Sequence, residues 1–393
     1  MNEHKAVPNI RFKGFEDEWK GKELNSISKR LDNFRKPITA NKRMAGKTPY
    51  YGANGIQDYV KGYTHKGEFV LIAEDGANDV RNYPVTFVKG YIWVNNHAHV
   101  LQAKIGISNN LFLSYSLKNK NLLPYLVGSG RMKLNADVLM NLLLKIPSLK
   151  EQQKIGNFFA KLDKLLDLQQ QKIERLELLK KALLQKLFPK HDTKIPELRF
   201  KGYEGDWKKH KLKEVSKIIG GGTPDTKNSK YWNGNINWFS PNEIGDSPYA
   251  VSSHKKITDL GLKKSSAKLH PAGRTILFTS RAGIGDMAIL TTPAATNQGF
   301  QSLELNDNVY PYFVYSYGFE IKRKANRFAS GSTFLEISKN QMEDITLMFP
   351  SEQEQQKIGN LLSKVDQLIE LENKKLEDLQ QFKKCLLQNM FVE

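Results

Sequence analysis

Apolar and polar positions along this 393-residue chain follow two alternating regimes. From Leu149 to Phe188 apolar residues recur every three or four positions: Ile155, Phe158 and Phe159, Leu162, Leu165 and Leu166, Ile173, Leu176, Leu179, Leu183 and Leu187. The pattern returns as Ile358, Leu361 and Leu362, Val365, Leu368 and Ile369, Leu376, Leu379, Phe382, Leu386 and Met390. This is the stripe of a helix that packs along its whole length. At about 1.5 Å per residue each helix is about 60 Å long. Each stripe is interrupted once near its middle, by Gln169 and by Glu372; a polar residue there can fix register at a cost in stability.

Both helices have marked starts. Ser148 with Glu151, and Ser351 with Glu354, match the S-x-x-E capping box, in which the glutamate reaches back to the serine amide. Pro147 and Pro350 disfavour helix before each serine, and Pro189 stops the first helix. Gly156 and Gly359 lie just inside, where glycine costs about 1 kcal/mol relative to alanine. Their presence in both helices suggests close approach of another backbone, from the partner helix or another subunit.

The helices are one half of a tandem duplication. Pro147–Lys190 and Pro350–Glu393 align at a constant offset of 203, with 22 of 44 pairs identical. The segments before them open alike at an offset of 188: Arg11-Phe12-Lys13-Gly14 answers Arg199-Phe200-Lys201-Gly202, and Trp19 answers Trp207. Four segments follow: a first globular block (1–146), a central long helix (147–190), a second block (191–349) and a C-terminal long helix (350–393). The helices most simply pair antiparallel, related by a pseudo-two-fold axis. The blocks would then lie about 50–60 Å apart, more than one turn of duplex DNA at about 34 Å.

Within the blocks the pattern shortens. Glu68–Ala73, Val85–Val88, Tyr91–Val94, Ile236–Phe239 and Thr275–Thr279 are short β-branched and aromatic runs bounded by Gly, Asn and Asp, as strands are. Leu111–Leu126 is helical in part, and Tyr310–Phe319 is an aromatic helix or strand. The expected fold class is α+β: two globular α/β domains separated by two long helices packed as an antiparallel coiled coil, in a pseudo-two-fold tandem repeat. The middles of the blocks share little sequence, so one scaffold is expected to carry two separately varied specificities.

Charge sharpens this picture. The net charge is +19. Residues 1–148 carry 22 basic and 12 acidic groups and residues 189–349 carry 23 and 16, whereas 350–393 carry 6 and 8. The excess lies in the blocks, where a polyanion would bind. No run approaches the length of a membrane span, and the opening MNEHKAVPNIRF has no apolar stretch, so no signal peptide is expected. The single cysteine, Cys385, fits a reducing cytoplasm and is expected in a helix core.

Catalytic signatures are missing. There is no N-P-P-[FYW] tetrapeptide and no F-x-G-x-G methyl-donor loop. Gly46-Lys47-Thr48 lacks the first glycine of a phosphate-binding loop. Gly220–Gly222 is a turn or an approach to a phosphate backbone. His97 and His99 could form a metal pair but have no third ligand nearby, so no metal is expected. Pro224-Asp225 and Glu320-Ile321-Lys322 are too far apart to read as a nuclease motif. Residues suited to DNA are plentiful in and beside loops. Block one offers Lys47, Tyr50, Tyr51, Asn54, Arg81, Asn82, Asn96, His97, Arg131 and Lys133; block two offers Thr223, Lys230, Tyr231, Ser240, Asn242, Arg281, Asn297, Gln298, Ser332 and Thr333. Arginine reads guanine and Asn or Gln reads adenine, while Lys, Ser and Thr also hold phosphates. Trp232, Trp238 and Phe239 suit a core better than a stacking platform.

The chain resembles the specificity subunit of a type I restriction–modification enzyme over nearly its whole length. The E-Q-x-K-I segments Glu151–Ile155 and Glu354–Ile358 carry the resemblance, with Gly52-Ala53-Asn54-Gly55 and Asn96-His97 in block one. In block two it rests on Gly221-Gly222-Thr223-Pro224, Tyr231-Trp232, Ser280-Arg281-Ala282, Ile284-Gly285, Asn297-Gln298-Gly299-Phe300 and Gly331-Ser332-Thr333. Gly128-Ser129-Gly130 departs from the Gly-Ser-Thr form. The resemblance implies two target-recognition domains, each reading half of a bipartite double-stranded DNA target. It implies helices that space them and dock two modification (methyltransferase) subunits, with separate restriction subunits for translocation and cleavage. S-adenosylmethionine, ATP and Mg²⁺ would sit on those partners and no cofactor in this chain, a non-catalytic cytoplasmic protein without a membrane role. The competing readings are a self-contained DNA methyltransferase or nuclease with an unrecognised site, and a coiled-coil adaptor that binds only protein.

Overall fold

In the computed structural model, residues 6–190, 193–281, 283–329 and 335–392 are described. The chain forms two units, residues 1–171 with 374–393, and residues 172–373.

The first unit runs β1 (Lys20–Glu23), α1 (Leu24–Ile27), β2 (Ser28–Arg30), β3 (Ala45–Gly52), β4 (Gly55–Val60), β5 (His65–Ala73), β6 (Val85–Val94), β7 (Ala98–Ala103), α2 (Asn110–Asn119), α3 (Ala136–Met140), β8 (Leu143–Ile146) and the first part of α4 (Leu149–Lys186). Six strands form one sheet in the order β2-β7-β5-β6-β3-β4. Its pairs are antiparallel except β3 with β6. The two runs expected around Lys89-Gly90 are one strand, because Gly90 at φ +105° pairs in register with Gly67.

The second unit runs β9 (Lys208–Lys211), α5 (Leu212–Val215), β10 (Ser216–Gly220), β11 (Trp232–Phe239), β12 (Tyr249–Ala250), β13 (Lys255–Ile257), α6 (Asp259–Lys263), β14 (Thr275–Phe278), β15 (Met287–Leu290), β16 (Ala294–Thr296), β17 (Gln301–Leu305), α7 (Pro311–Ser316), α8 (Gly318–Phe328), α9 (Lys339–Glu343), β18 (Thr346–Phe349) and most of α10 (Glu352–Met390). Its sheets are β10-β17-β14-β15-β12, β13-β11-β16 and the pair β18-β9. The connectivity matches the first unit: β10 with β17 answers β2 with β7, β14 between β17 and β15 answers β5 between β7 and β6, and the parallel pair β11 with β16 answers β3 with β6. Two unlike middles therefore fold on one plan.

Each unit seats the start of its long helix in the same way. Glu151 is 1% exposed and accepts from Arg11 Nε and Nη2 at 2.8 Å each; Glu354, also 1% exposed, accepts from Arg199 at 2.8 and 2.9 Å. This corrects the capping-box expectation. The glutamate amide does donate to the serine oxygen, at 3.4 Å in both copies, but the carboxylate turns to the arginine. Gln152 and Gln355 accept from the backbone amides of Asn109 and Tyr310 at 3.1 Å and donate back to the Pro147 and Pro350 carbonyls. A Cβ on Gly156 would stand 2.8 Å from the Phe112 amide nitrogen, and one on Gly359 2.9 Å from that of Phe313. The backbone that approaches is that of an earlier helix in the same block, α2 or α7, not a partner helix or another subunit.

In the first unit Trp19, Phe112, Phe159 and Phe391 share the core, and Phe391 stacks on Phe112. In the second, Trp207, Phe313, Leu362 and Phe188 do so. The long helices run antiparallel within each unit: Asp163 pairs with Lys383 in the first, while Lys180 reaches Asp366 at 2.6 Å and Lys172 reaches Glu372 at 2.5 Å in the second. Asp163 and Asp366, like Lys180 and Lys383, are equivalent positions of the repeat. Gln169 and Glu372 are both buried. The stripe is narrower than its spacing suggests. Leu165, Leu179, Leu368 and Phe382 are exposed, as are Leu168 and Leu371. Cys385 is also exposed rather than in the core, because Leu386 and Met390, one turn apart, take the buried face.

Candidate nucleic-acid interface

In the first unit three loops meet at one end of the sheet. β5 ends at Ala73 and runs into Glu74-Asp75-Gly76-Ala77-Asn78; β6 and β7 are joined by Asn95–His97; the third loop is Gly128–Lys133. Backbone hydrogen bonds join them: Asn95 N donates to Tyr51 O at 3.0 Å, Glu74 N to His97 O at 2.9 Å, and Leu134 N to Glu74 O at 2.7 Å. The Asn95 side-chain oxygen accepts from His97 N at 2.8 Å. Asn54 joins from the β3–β4 turn, donating to Gly76 O at 2.8 Å while its oxygen accepts from Asn78 N at 2.8 Å.

Charged groups ride on this frame. Asp75 contacts His97 Nδ1 at 2.6 Å and accepts from Arg131 Nη2 at 3.0 Å. Glu74 accepts from Arg35 at 2.7 Å and pairs with Lys133 at 2.9 Å. Burial pushes the Glu74 carboxyl up, but hydrogen bonds from Arg35 and Lys133, with His99 nearby, more than offset it and hold it below the usual carboxylate range. Arg131, Asn54, Asn96, Arg81 and Asn82 are exposed, and His97 is half-buried. Asn82 and the backbone of Arg81 are tied to Asp79. Of the predicted residues, Asn54, Asn96, His97, Arg131 and Lys133 are thus brought together, with Arg81 and Asn82 on the same β5–β6 connection. Lys47 is exposed nearer the other end of β3. Tyr50 is 1% exposed, with its hydroxyl accepting from Ile38 N at 3.0 Å, and Tyr51 is half-buried against the sheet core. Gly46 lies in β3 against Val60 and Lys61, so Gly46-Lys47-Thr48 is strand and not a phosphate loop.

The second unit repeats the frame with different residues. Asn297 N donates to Phe239 O at 3.0 Å, Ser280 N to Gly299 O at 2.8 Å, and Ile337 N to Ser280 O at 3.0 Å. The Asn297 side-chain oxygen accepts from Gly299 N at 2.8 Å, as Asn95 does for His97. Ser240 N-caps the turn after β11 by a capping box with Glu243, and its hydroxyl reaches Asn242 at 2.7 Å. Thr223 donates to Gln298. Thr223, Ser240, Asn242, Arg281, Asn297 and Gln298 therefore ride on one loop frame. Lys230 and Tyr231 stand on a separate turn whose carbonyls bind Thr258. Ser332 and Thr333, with Ala282 and Gly331, lie outside the described residues. Gly221 serves packing: a Cβ there would fall 1.9 Å from Asn297 O. Trp238 and Phe239 are buried, and Trp232 stands edge-on to Trp238.

The residues of the metal and nuclease motifs are held by ion pairs and hydrogen bonds. His97 and His99 serve different groups: His99 is buried between Asp32 at 2.6 Å and the Leu134 carbonyl at 2.9 Å. Asp32, Glu74 and His99 bring possible ligand atoms within 4.8 Å. Arg35 and Lys133 already neutralise these carboxylates, so the group is a self-balanced cluster. Glu320 is held by Arg323 at 2.6 Å and Lys324 at 3.4 Å, and Asp225 accepts from Lys227 N at 2.9 Å. Residues the sequence reading passed over are Arg35, Glu74, Asp75, Gly76, Asn78 and Asn95. The E-D-G-A-N run after a buried strand is the signal that marks most of them.

The specificity-domain family of type I restriction–modification systems, described as the type I restriction modification DNA specificity domain, matches residues 16–178 and again 204–381. The chain belongs to this family: it is a type I restriction–modification specificity subunit with two target-recognition domains in tandem. It is 32% identical over 380 residues to a type I restriction enzyme specificity subunit of Haemophilus influenzae, covering 94% of this chain and 92% of that one. It is 37% identical over 193 residues to a type I specificity subunit of Methanocaldococcus jannaschii, covering 48% and 44%. The fold is similar to the crystal structure of a type I restriction–modification S subunit from M. genitalium, at a TM-score of 0.68 and 15% identity over 98% of this chain and 99% of that one. No helix among the described residues is long and apolar enough to cross a membrane.

Proposed function

We infer that each unit reads one half of a bipartite duplex target through its loop edge, and that the long helices space the readers and dock two modification subunits. The chain itself is a non-catalytic cytoplasmic component. S-adenosylmethionine serves the modification subunits, while ATP and Mg²⁺ serve restriction subunits that translocate and cleave. One observation carries this reading: unlike side chains, His97 and Arg131 in one unit and Ser240, Arg281 and Gln298 in the other, stand on loops joined by the same backbone hydrogen bonds. A frame held by backbone leaves its side chains free to specify different bases.

Docking of two like partners is supported by the duplicated exposed leucines. The first unit exposes Leu165, Leu168 and Phe382; the second exposes the equivalent Leu368, Leu371 and Leu179. Each set flanks one of the equivalent ion pairs, Asp163 with Lys383 and Asp366 with Lys180.

The test is reconstitution. The complex with its modification subunits should bind one bipartite duplex, with affinity falling steeply as salt rises. The purified chain with S-adenosylmethionine, Mg²⁺ and DNA should show no turnover. Turnover by the lone chain would establish the self-contained enzyme instead, and a complex that ignores duplex DNA would leave only the protein-binding adaptor.

A further inference from the structure

We propose that Asp75 is the positioning residue of the first recognition unit: it aims the Arg131 guanidinium at a guanine of the first half-site and holds the His97 ring beside it. The proposal rests on the recognition reading above. It starts from an oddity of charge. A carboxylate at a surface meant for a polyanion repels its ligand unless it organises cations that bind more strongly than it repels. Asp75 does this. One of its oxygens contacts both His97 Nδ1, at 2.6 Å, and Arg131 Nη2, at 3.0 Å, and Arg131 Nη2 lies 3.3 Å from the same ring nitrogen.

The 2.6 Å contact requires a proton on His97 Nδ1. Arg131 therefore does not donate to that nitrogen; its bond goes to Asp75. In the neutral ring this leaves Nε2 as an acceptor, so Asp75 also sets the tautomer. Arg131 has five N–H donors in a rigid fork, and this contact uses one. The remaining donors on the two terminal nitrogens can still meet guanine O6 and N7 together. The guanidinium also lies close to a glycine. Gly76 has φ +66°, and a Cβ there would stand 2.9 Å from Arg131 Nη2 and 3.0 Å from Nε. An alanine there would have to adopt a left-handed backbone and push the guanidinium away from its present place.

The experiment uses the full complex with its modification subunits and the duplex it selects from a random-sequence library. Asp75→Ala should lower affinity for the selected duplex by about 10- to 100-fold, the range of one lost bidentate base contact. It should raise affinity for random duplex, since an anionic group has gone. Gly76→Ala should cause a similar specific loss by displacing Arg131, with random-duplex affinity unchanged. Replacing the read guanine by 7-deazaguanine should weaken the wild type and leave Asp75→Ala no weaker than before. If Asp75→Ala tightened both duplexes equally, or Gly76→Ala matched the wild type, the positioning role would be overturned. If the deaza effect persisted undiminished in Asp75→Ala at every guanine, the guanine assignment would fall. A wild-type complex with no preferred duplex would overturn the recognition reading itself, and this proposal with it.

Discussion

The two recognition units hold the same loops at the same places, yet their charges are exchanged. Asp75 faces Lys133 across a backbone bridge in the first unit; at the corresponding bridge in the second, Arg281 faces Glu336. His97 is replaced by Gly299, and the asparagine that orders that turn, Asn95 or Asn297, is kept. The frame is stitched by backbone amides and carbonyls, which any side chain supplies, and by Asn side chains turned inward. What projects outward is then free to differ. Identity is retained where side chains themselves build the joint: the Arg–Glu pair, the Gln that binds the N-cap amide of an earlier helix, and the glycine beside it.

The largest effect should come from breaking the comparison outright. Exchanging Phe15–Leu144 for the corresponding block of a relative should change one half-site completely and leave the other untouched, read by selection from a duplex library. A change in both halves would mean the units do not read independently.

Next in size are the seating pairs. Arg11→Ala and Arg199→Ala each strand a buried carboxylate, and each should cost about 3 kcal/mol or somewhat more, measured by urea unfolding. Similar losses are expected because the geometries match; a strong loss at one and none at the other would break the equivalence of the joints. Smaller again are Gly156→Ala and Gly359→Ala. Crowding a neighbouring backbone costs about 1–3 kcal/mol, offset by about 1 kcal/mol of helix propensity. Net destabilisation in both is expected, and stabilisation would show that the close approach is dispensable.

The smallest concerns pH. Each unit buries one histidine whose pKa is lowered chiefly by burial, His65 in the first and His270 in the second. The folded state binds the proton less readily than the unfolded chain, whose histidines titrate near 6.5. Unfolding therefore takes up protons, and the stability from these groups is present above about pH 6.5 and lost as pH falls below it. Urea midpoints from pH 7.5 to 5.5 should decline, and His270→Gln should flatten part of that slope. An unchanged slope in both His65→Gln and His270→Gln would assign the decline to other groups.

Much of the plan was legible in the chain. The duplication, the two long helices with their starts, the basic excess of the blocks and most of the loops that hold candidate readers all follow from spacing and offset. The burial of Tyr50 was not legible, because a tyrosine beside a turn has the same local pattern whether its ring is inside or outside. The capping-box reading of Glu151 failed because its true partner, Arg11, is 140 residues away.

The sequence alone determined the elements: 3.6-residue periodicity and proline stops are local properties, written wherever a helix must turn one face inward. Tertiary structure decided which parts of those faces are covered. Leu165, Leu179, Leu368 and Phe382 carry the periodicity of a core and stand in solvent, because covering them depends on what packs opposite. It also decided that two blocks with little sequence in common share the same central strand pairings, since those are fixed by backbone hydrogen bonds between remote segments, to which side-chain identity is nearly silent.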